Sequence, residues 1–310
     1  MEKRRRSTCF PLLSTREWLL FSIFYALKFG VSPNLHYFCP PNIGNIHYYI
    51  MPEKYILDLW LTGVERLSER YFLLRATRQE APLPSMLPGQ FAQLRVDGSA
   101  TTFLRRPISI HNVDRQKNEV WFLVQAIGDG TRSLASMRAG DVLNAVLPLG
   151  HGFTMPQTAG ERMLLVGGGV GVAPLLYLGR CLREQGFTPT FLLGFRTAAD
   201  IILAQEYRAQ GRLFVTTEDG SEGERGFVTQ HSLLQKERFD RIAVCGPKPM
   251  MVSVARYARQ SGTPCEVSLE NMMACGLGAC LCCVEDTNEG HLCVCTEGPV
   301  FNIDRLKWQI

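Results

Sequence analysis

Six of the chain's eleven cysteines fall within residues 270–301, in the stretch ENMMACGLGACLCCVEDTNEGHLCVCTEGPVF. Thiols this crowded serve disulfides, zinc or an iron-sulfur cluster, and spacing helps to tell the three apart. Cys275, Cys280 and Cys283 follow CxxxxCxxC, which with a more distant fourth cysteine is the arrangement that wraps a 2Fe-2S cluster. Two irons need four thiolates from a tightly curled loop. Gly276 and Gly278 allow that curl and let backbone amides point at a negatively charged centre. Structural zinc sites usually offer two short CxxC-type pairs or histidines, and His291 is the only histidine nearby. Disulfides fit poorly with an odd cysteine count in a cofactor-binding chain. Cys293 and Cys295 both lie within reach as the fourth ligand, and strand alternation would put both on one face, so spacing leaves that choice open.

Two further stretches carry phosphate chemistry. In LLVGGGVGVAP a strand expected to end at Val166 meets Gly167, Gly168, Gly169 and Gly171, then an apolar helix from near Ala173. Glycines let the backbone approach a pyrophosphate, and the helix N-terminus favours its anionic oxygens. Pro174 sits in the first helical turn, where a missing amide costs little. TTEDGS at 216–221 and VCGPKPMM at 244–251 close two more strands, and ligands on open α/β sheets sit at such carboxyl ends. Cys245, Gly246 and Pro247 therefore join the expected nucleotide contacts. No motif places a histidine to activate Cys245, so it reads as a packed pocket wall rather than a nucleophile.

The third stretch is LRRPISI at 104–110, where Arg106 can fork onto a phosphate and Ser109 offers a hydroxyl. About twenty residues later QAIGDGT supplies Gly128, Gly130 and Thr131, a nest of amides with a hydroxyl suited to a pyrophosphate.

The elements that must position these groups have two grammars. From residue 55 to about 155 short β-rich runs alternate with turn signals such as RQKN, which argues an antiparallel barrel or sandwich. From Arg162, strand runs alternate with helical segments, which implies a parallel sheet with crossover helices. The expected fold class is an antiparallel β barrel, a doubly wound parallel α/β sheet and a cysteine-rich segment at the C-terminal end. The corresponding units are residues 51–157, 158–263 and 264–310, with 1–50 as an extension.

That extension starts MEKRRR and runs into the apolar WLLFSIFYALKFGV, which has the outline of a secretory signal or short anchor. Lys28 interrupts a run too short to span a bilayer, no small-residue cleavage site follows, and Met51 opens a domain cleanly. Residues 1–50 therefore read as a disordered extension or a start-site artefact. Of the formal net charge of +4, this stretch supplies all, with six Lys/Arg against two Asp/Glu. The remaining body is neutral, with no basic cluster interleaved with aromatics, and nothing suggests nucleic-acid binding.

The order RPxS strand, GxGT, PLGHGF, GGGVGVAP and CGPKPM resembles the ferredoxin-NADP reductase-like superfamily, where a flavin lies between a barrel and a nicotinamide-binding domain. The wording LRRPISI, TTEDGSEGERGFVT and ACGLGACLCC...CTEGPVF is similar to the dihydroorotate dehydrogenase B electron transfer subunits, over about residues 53–305. The resemblance implies FAD contacts at Arg106, Pro107, Ile108 and Ser109, at Leu123, Val124 and Gln125, and at Gly130 and Thr131. Gln125 stands where relatives often have a basic residue. The resemblance also selects Cys295 as the fourth ligand, because TEGPVF follows it, and leaves Cys282, in a place usually held by glycine, and Cys293 as non-ligands. Glu270 is expected at the flavin-side cavity. FAD, a 2Fe-2S cluster and NAD as co-substrate would form a circuit serving pyrimidine biosynthesis. Its partner would be an FMN-bearing catalytic subunit in a cytoplasmic heterotetramer of two copies each. The alternatives are a flavin and iron-sulfur subunit of a sulfide dehydrogenase, hydrogenase or transhydrogenase, or, in another class, a zinc-binding interaction module. Preference for NADH or NADPH turns on whether Arg196 meets a 2′-phosphate or only solvent, and solvent is the expectation.

Overall fold

The computed structural model describes residues 53–309, so the extension at 1–50 lies outside the described residues. In β1 (Tyr55–Arg66), Leu57, Leu59 and Leu61 are buried while Ile56, Asp58 and Trp60 are exposed. That period of two is a strand with one face on a core. The chain continues through β2 (Tyr71–Thr77), β3 (Phe91–Leu94), β4 (Arg106–Ser109), β5 (Asn112–Asp114), β6 (Glu119–Gln125), the helix α1 (Asp129–Ala135) and β7 (Val142–Leu149). The seven strands pair antiparallel in the order β4-β3-β7-β1-β2-β6-β5. The edge strands β4 and β5 are joined by only Ile110 and His111, so the sheet curls toward closure. The RQKN turn falls between β5 and β6 as the sequence suggests.

The second half begins with β8 (Met163–Gly168), a tight turn over Gly169–Val172 and α2 (Ala173–Glu184). It proceeds through β9 (Thr190–Phe195), α3 (Ala204–Gln210), β10 (Arg212–Thr217), β11 (Glu224–Arg225), β12 (Arg241–Cys245), α4 (Lys248–Ser261) and β13 (Cys265–Ser268). After the cysteine loop come the hairpin β14 (Val284–Thr287) and β15 (Gly290–Cys293), one helical turn at Val294–Glu297, and β16 (Val300–Asn302). The sheet order is β11-β10-β9-β8-β12-β13-β16, parallel except for the last pair. Every residue of β8 is buried, as expected for a parallel strand with both faces covered. Two expectations change. The strand runs on to Gly168 instead of stopping at Val166, because Gly167 and Gly168 pair with Leu193 and Gly194. The cysteine-bearing segment is not separate from the sheet either: β13 and β16 are its last two strands, and the thiols sit on the connection between them.

Two buried hydrogen bonds lock the halves together. His111 Nδ1 donates to the Ala173 carbonyl at 2.7 Å, and the Tyr177 hydroxyl donates to the Met86 carbonyl at 3.0 Å. One apolar core runs from Phe91 and Leu149 of the barrel through the parallel sheet to Cys283 and Cys295.

Candidate functional site

Strand order reverses between β8 and β12, since the chain builds β9 and β10 on one side and returns to the other. A crevice opens at such a switch point. Here it is a cleft of about 980 Å³ whose walls include Gly168–Gly171, Gly246, Pro247, Tyr71, Gln125, Arg196 and Glu270. Gly171 makes the shape possible. A Cβ there would stand 2.4 Å from Gly246 Cα and 2.6 Å from the Cys245 carbonyl oxygen, so only glycine lets the two turns touch. Cys245 is fully buried, and its thiol lies 4.0 Å from Glu270 Oε1. Burial pushes the Cys245 thiol up, with the Glu270 charge adding to it, and burial raises the Glu270 carboxyl too. A buried thiol held protonated is packing rather than a nucleophile.

The barrel contributes a cradle of unpaired backbone. β4 is an edge strand, bonded only to β3, and Arg106, Pro107, Ile108 and Ser109 are all half-buried on it. β5 covers β6 only as far as Trp121, so Leu123, Val124 and Gln125 have one bare backbone edge, and β4 and β6 approach each other there. The Leu123 and Val124 side chains are sealed in different cores, which leaves backbone as what they can offer, while Gln125 reaches the cleft. The two arginines divide. Arg105 donates to the Gln93 and Asn144 carbonyls and to Asn144 Oδ1, so it is spent on the barrel. Arg106 has no hydrogen bond or ion pair among the described residues, and Gly130 packs on it: a Cβ on Gly130 would stand 2.8 Å from Arg106 Nε. The Thr131 hydroxyl, expected at a phosphate, accepts the Ile127 and Gly128 amides at 3.0 and 3.1 Å and donates to the Gly128 carbonyl. It thereby holds its own loop in shape.

All nine described cysteines are free thiols. Cys283 and Cys295 are buried, Cys275 and Cys293 half-buried, and Cys280 and Cys282 exposed. Amides serve the sulfurs: Leu277 N donates to Cys275 Sγ at 3.3 Å, Gly278 N to Cys295 Sγ at 3.2 Å and Cys295 N to Cys283 Sγ at 3.4 Å. Gly276 and Gly278 adopt φ of +71° and +82°, the left-handed backbone that turns those amides inward. Burial pushes the Cys275 thiol up, but amide hydrogen bonds from Leu277, Cys280 and Ala279 outweigh it and bring it down to about 6. Burial, with the neighbouring Cys283 thiol, takes Cys295 up to about 12. A metal cation is what such a thiol needs to give up its proton.

Among the described residues no three His, Cys, Asp or Glu side chains converge on one ion. The thiols lie instead as close neighbours, Cys275 beside Cys280 and Cys283 beside both Cys295 and Cys293. A two-iron cluster takes two thiolates per iron, so this donor set fits one. Cys293 is a surprise: it also contacts Cys283, and its sulfur lies 3.8 Å from the Gly278 carbonyl oxygen. Among the described residues no thiol contact joins Cys282 to the other cysteines. Tyr71, at 5% exposure on the cleft wall, was invisible among the apolar residues of β2.

A family model described as the iron-sulfur cluster binding domain of dihydroorotate dehydrogenase B matches residues 270–307, and an oxidoreductase NAD-binding domain matches 165–256. The electron transfer subunit of dihydroorotate dehydrogenase B (NAD(+)) from Shouchella clausii is 44% identical over 225 residues, 71% of this chain and 86% of the relative. The chain belongs to the dihydroorotate dehydrogenase B electron transfer subunit family. The Bacillus velezensis member is 40% identical over the same shares, 71% and 86%. Among solved structures, one titled for flavin-based electron bifurcation by an NADH-dependent reduced ferredoxin-NADP oxidoreductase superposes at a TM-score of 0.71. It has 29% identity and covers 81% of this chain and 90% of its own. A Neisseria gonorrhoeae ferredoxin NADP+ reductase, at 18% identity and TM-score 0.55 over 67% and 92%, shares the fold. The family is an oxidoreductase family, and its cofactors are FAD, a 2Fe-2S cluster and NAD. An electron transfer subunit works beside a catalytic subunit. Among the described residues no helix is long and apolar enough to cross a membrane.

Proposed function

We propose that this chain carries electrons from dihydroorotate, oxidised at the FMN of a catalytic partner, through a 2Fe-2S cluster and FAD to NAD+, in pyrimidine biosynthesis. The observation that carries the reading is continuity. Glu270, on the wall of the nucleotide cleft, opens the same loop that brings the thiols together. Bound FAD exchanges a hydride with nicotinamide and single electrons with an iron-sulfur cluster, so it links the two carriers.

The chain's own residues hold and orient. Cys275, Cys280, Cys283 and Cys295 are assigned as the cluster ligands, with Cys295 preferred to Cys293 because its sulfur receives the Gly278 amide and its own amide serves Cys283. Arg106 and the bare edges of β4 and β6 hold the flavin, and the Gly168–Gly171 turn with Gly246 and Pro247 holds the nicotinamide nucleotide. Glu270 lines the cleft with its carboxyl raised by desolvation, and the Cys245 thiol, raised by burial, packs behind the lining residues Gly246 and Pro247. The exposed apolar residues Met272, Leu277 and Leu281 lie on the cysteine loop, which suits a cluster face covered by the catalytic subunit. A heterotetramer of two copies each, in a reducing cytoplasm that keeps these thiols free, completes the reading.

Co-expression with a dihydroorotate-oxidising subunit tests it. The expected result is a red-brown complex with about two irons and one flavin per chain, which reduces NAD+ with dihydroorotate. A colourless chain with one zinc and no flavin overturns it. A coloured chain that never associates with that subunit points to a differently partnered reductase.

A further inference from the structure

Strand alternation places Gln93 where no described group uses it. On β3, Ala92 and Leu94 belong to the barrel core, whereas Phe91, on the same face as Gln93, belongs to the core that contains Cys283 and Cys295. Gln93 is fully buried, and neither its amide nitrogen nor its amide oxygen has a hydrogen-bond partner. Buried amides are almost always paired, because an unpaired one loses its water for nothing. Facing it is the first turn of the cysteine loop. A Cβ on Gly276 would stand 2.8 Å from Gln93 Cγ and 3.2 Å from Gln93 Nε2. The residue before Gly276 is Cys275.

We propose that Gln93 donates an amide N–H to the sulfur shell of the bound cluster on the Gly276 side of the loop, and thereby raises the cluster's reduction potential. The proposal rests on the ligand assignment above. A reduced cluster carries one more negative charge than an oxidised one, so a donor at sulfur stabilises the reduced form more. Gln93 thus makes the barrel, which holds the flavin, a contributor to the potential of the electron carrier beside it.

The experiment is an anaerobic potentiometric titration of the flavin-loaded chain, followed by the electron paramagnetic resonance signal of the reduced cluster. Gln93→Met keeps the length and removes the donor, and Gln93→His keeps an N–H. Gln93→Met is expected to move the cluster midpoint to a more negative value and to erase a proton coupling that exchanges in D2O. Iron content and the flavin midpoint stay unchanged, and Gln93→His moves the midpoint back toward wild type. A Gln93→Met chain with the wild-type midpoint and coupling overturns the proposal. If Gln93→Met holds less iron, recovery of iron in Gln93→His supports the proposal, and equal loss in both shows a packing role and overturns it. A wild-type chain without iron overturns the ligand assignment as well, which separates the two failures.

Discussion

Gly171 in the glycine turn and Gly276 and Gly278 in the cysteine loop are held to glycine for different reasons. At Gly171 the backbone is ordinary, and the neighbour is what forbids a side chain, because Gly246 and the Cys245 carbonyl press against it. At Gly276 and Gly278 the backbone itself is left-handed, which aims amides at sulfur. One loop is packed rigidly so that a cleft stays open beside it. The other curls so that it can close around what it binds. A void for a diffusing nucleotide needs neighbours that do not collapse, whereas a resident cluster needs donors that converge.

The sharpest way to break this contrast is at the fourth thiol. Cys295→Ser is expected to lose the cluster iron entirely, while Cys293→Ser keeps it, measured as iron per chain after anaerobic purification. The reverse result would hand the ligand role to Cys293, which touches Cys283 as well.

Next in size is the support under the glycine turn. His111 is fully buried, its Nε2 lacks a partner, and burial holds it down to about 4 from an ordinary 6.5, against the opposing hydrogen bond to Ala173. The folded state binds the proton less tightly than the unfolded chain, so stability is complete above pH 6.5 and falls as pH drops toward 4. The loss is on the order of 3 kcal/mol. Urea midpoints across that range should flatten in His111→Gln; an unchanged slope would remove His111 as the cause.

The glycines themselves come third. Gly171→Ala is expected to cost roughly 1–3 kcal/mol of stability by overpacking and to weaken NADH binding with the cluster intact. Gly276→Ala, through left-handed strain of about 1–2 kcal/mol and contact with Gln93, should lower iron occupancy and leave NADH affinity unchanged. Thermal melts, iron content and NADH titration read all three quantities, and a variant that harms both sites equally would erase the contrast.

The smallest expected effect on stability separates the arginines. Arg106→Ala should reduce the flavin retained through gel filtration with little change in melting temperature. Arg105→Ala, which strips hydrogen bonds from Asn144 and Gln93, should destabilise the barrel by about 1–3 kcal/mol. Retained flavin in Arg106→Ala would show that the free guanidinium is not what holds it.

Much of this was legible in the sequence because it depends on local spacing. CxxxxCxxC, the glycine turn before an apolar helix and the period-two strands each lie within a few residues of chain, and the fold class, cofactors and family follow from them. Gly246 and Pro247, at one of the two strand ends read from the sequence, line the cleft, and Cys245 is buried behind them. What spacing could not supply is any fact set by elements far apart in the chain. That Arg105 is tied up while Arg106 stays unpaired depends on Asn144 across the sheet, and the bonds of the Thr131 hydroxyl to its own loop appear only once the loop is folded. Cys293, set aside by resemblance, was brought back beside Cys283 by the β14–β15 hairpin. Gln93 is the clearest case: its letter sits in an unremarkable strand, and only the packing of β3 against the cysteine loop leaves its amide buried and unpaired. The sequence by itself determined which chemistries this chain carries, since ligand type and spacing are written along it. The tertiary structure decided which of two equivalent side chains is free to take part, because a hydrogen bond already made to a distant strand is invisible until that strand is in place.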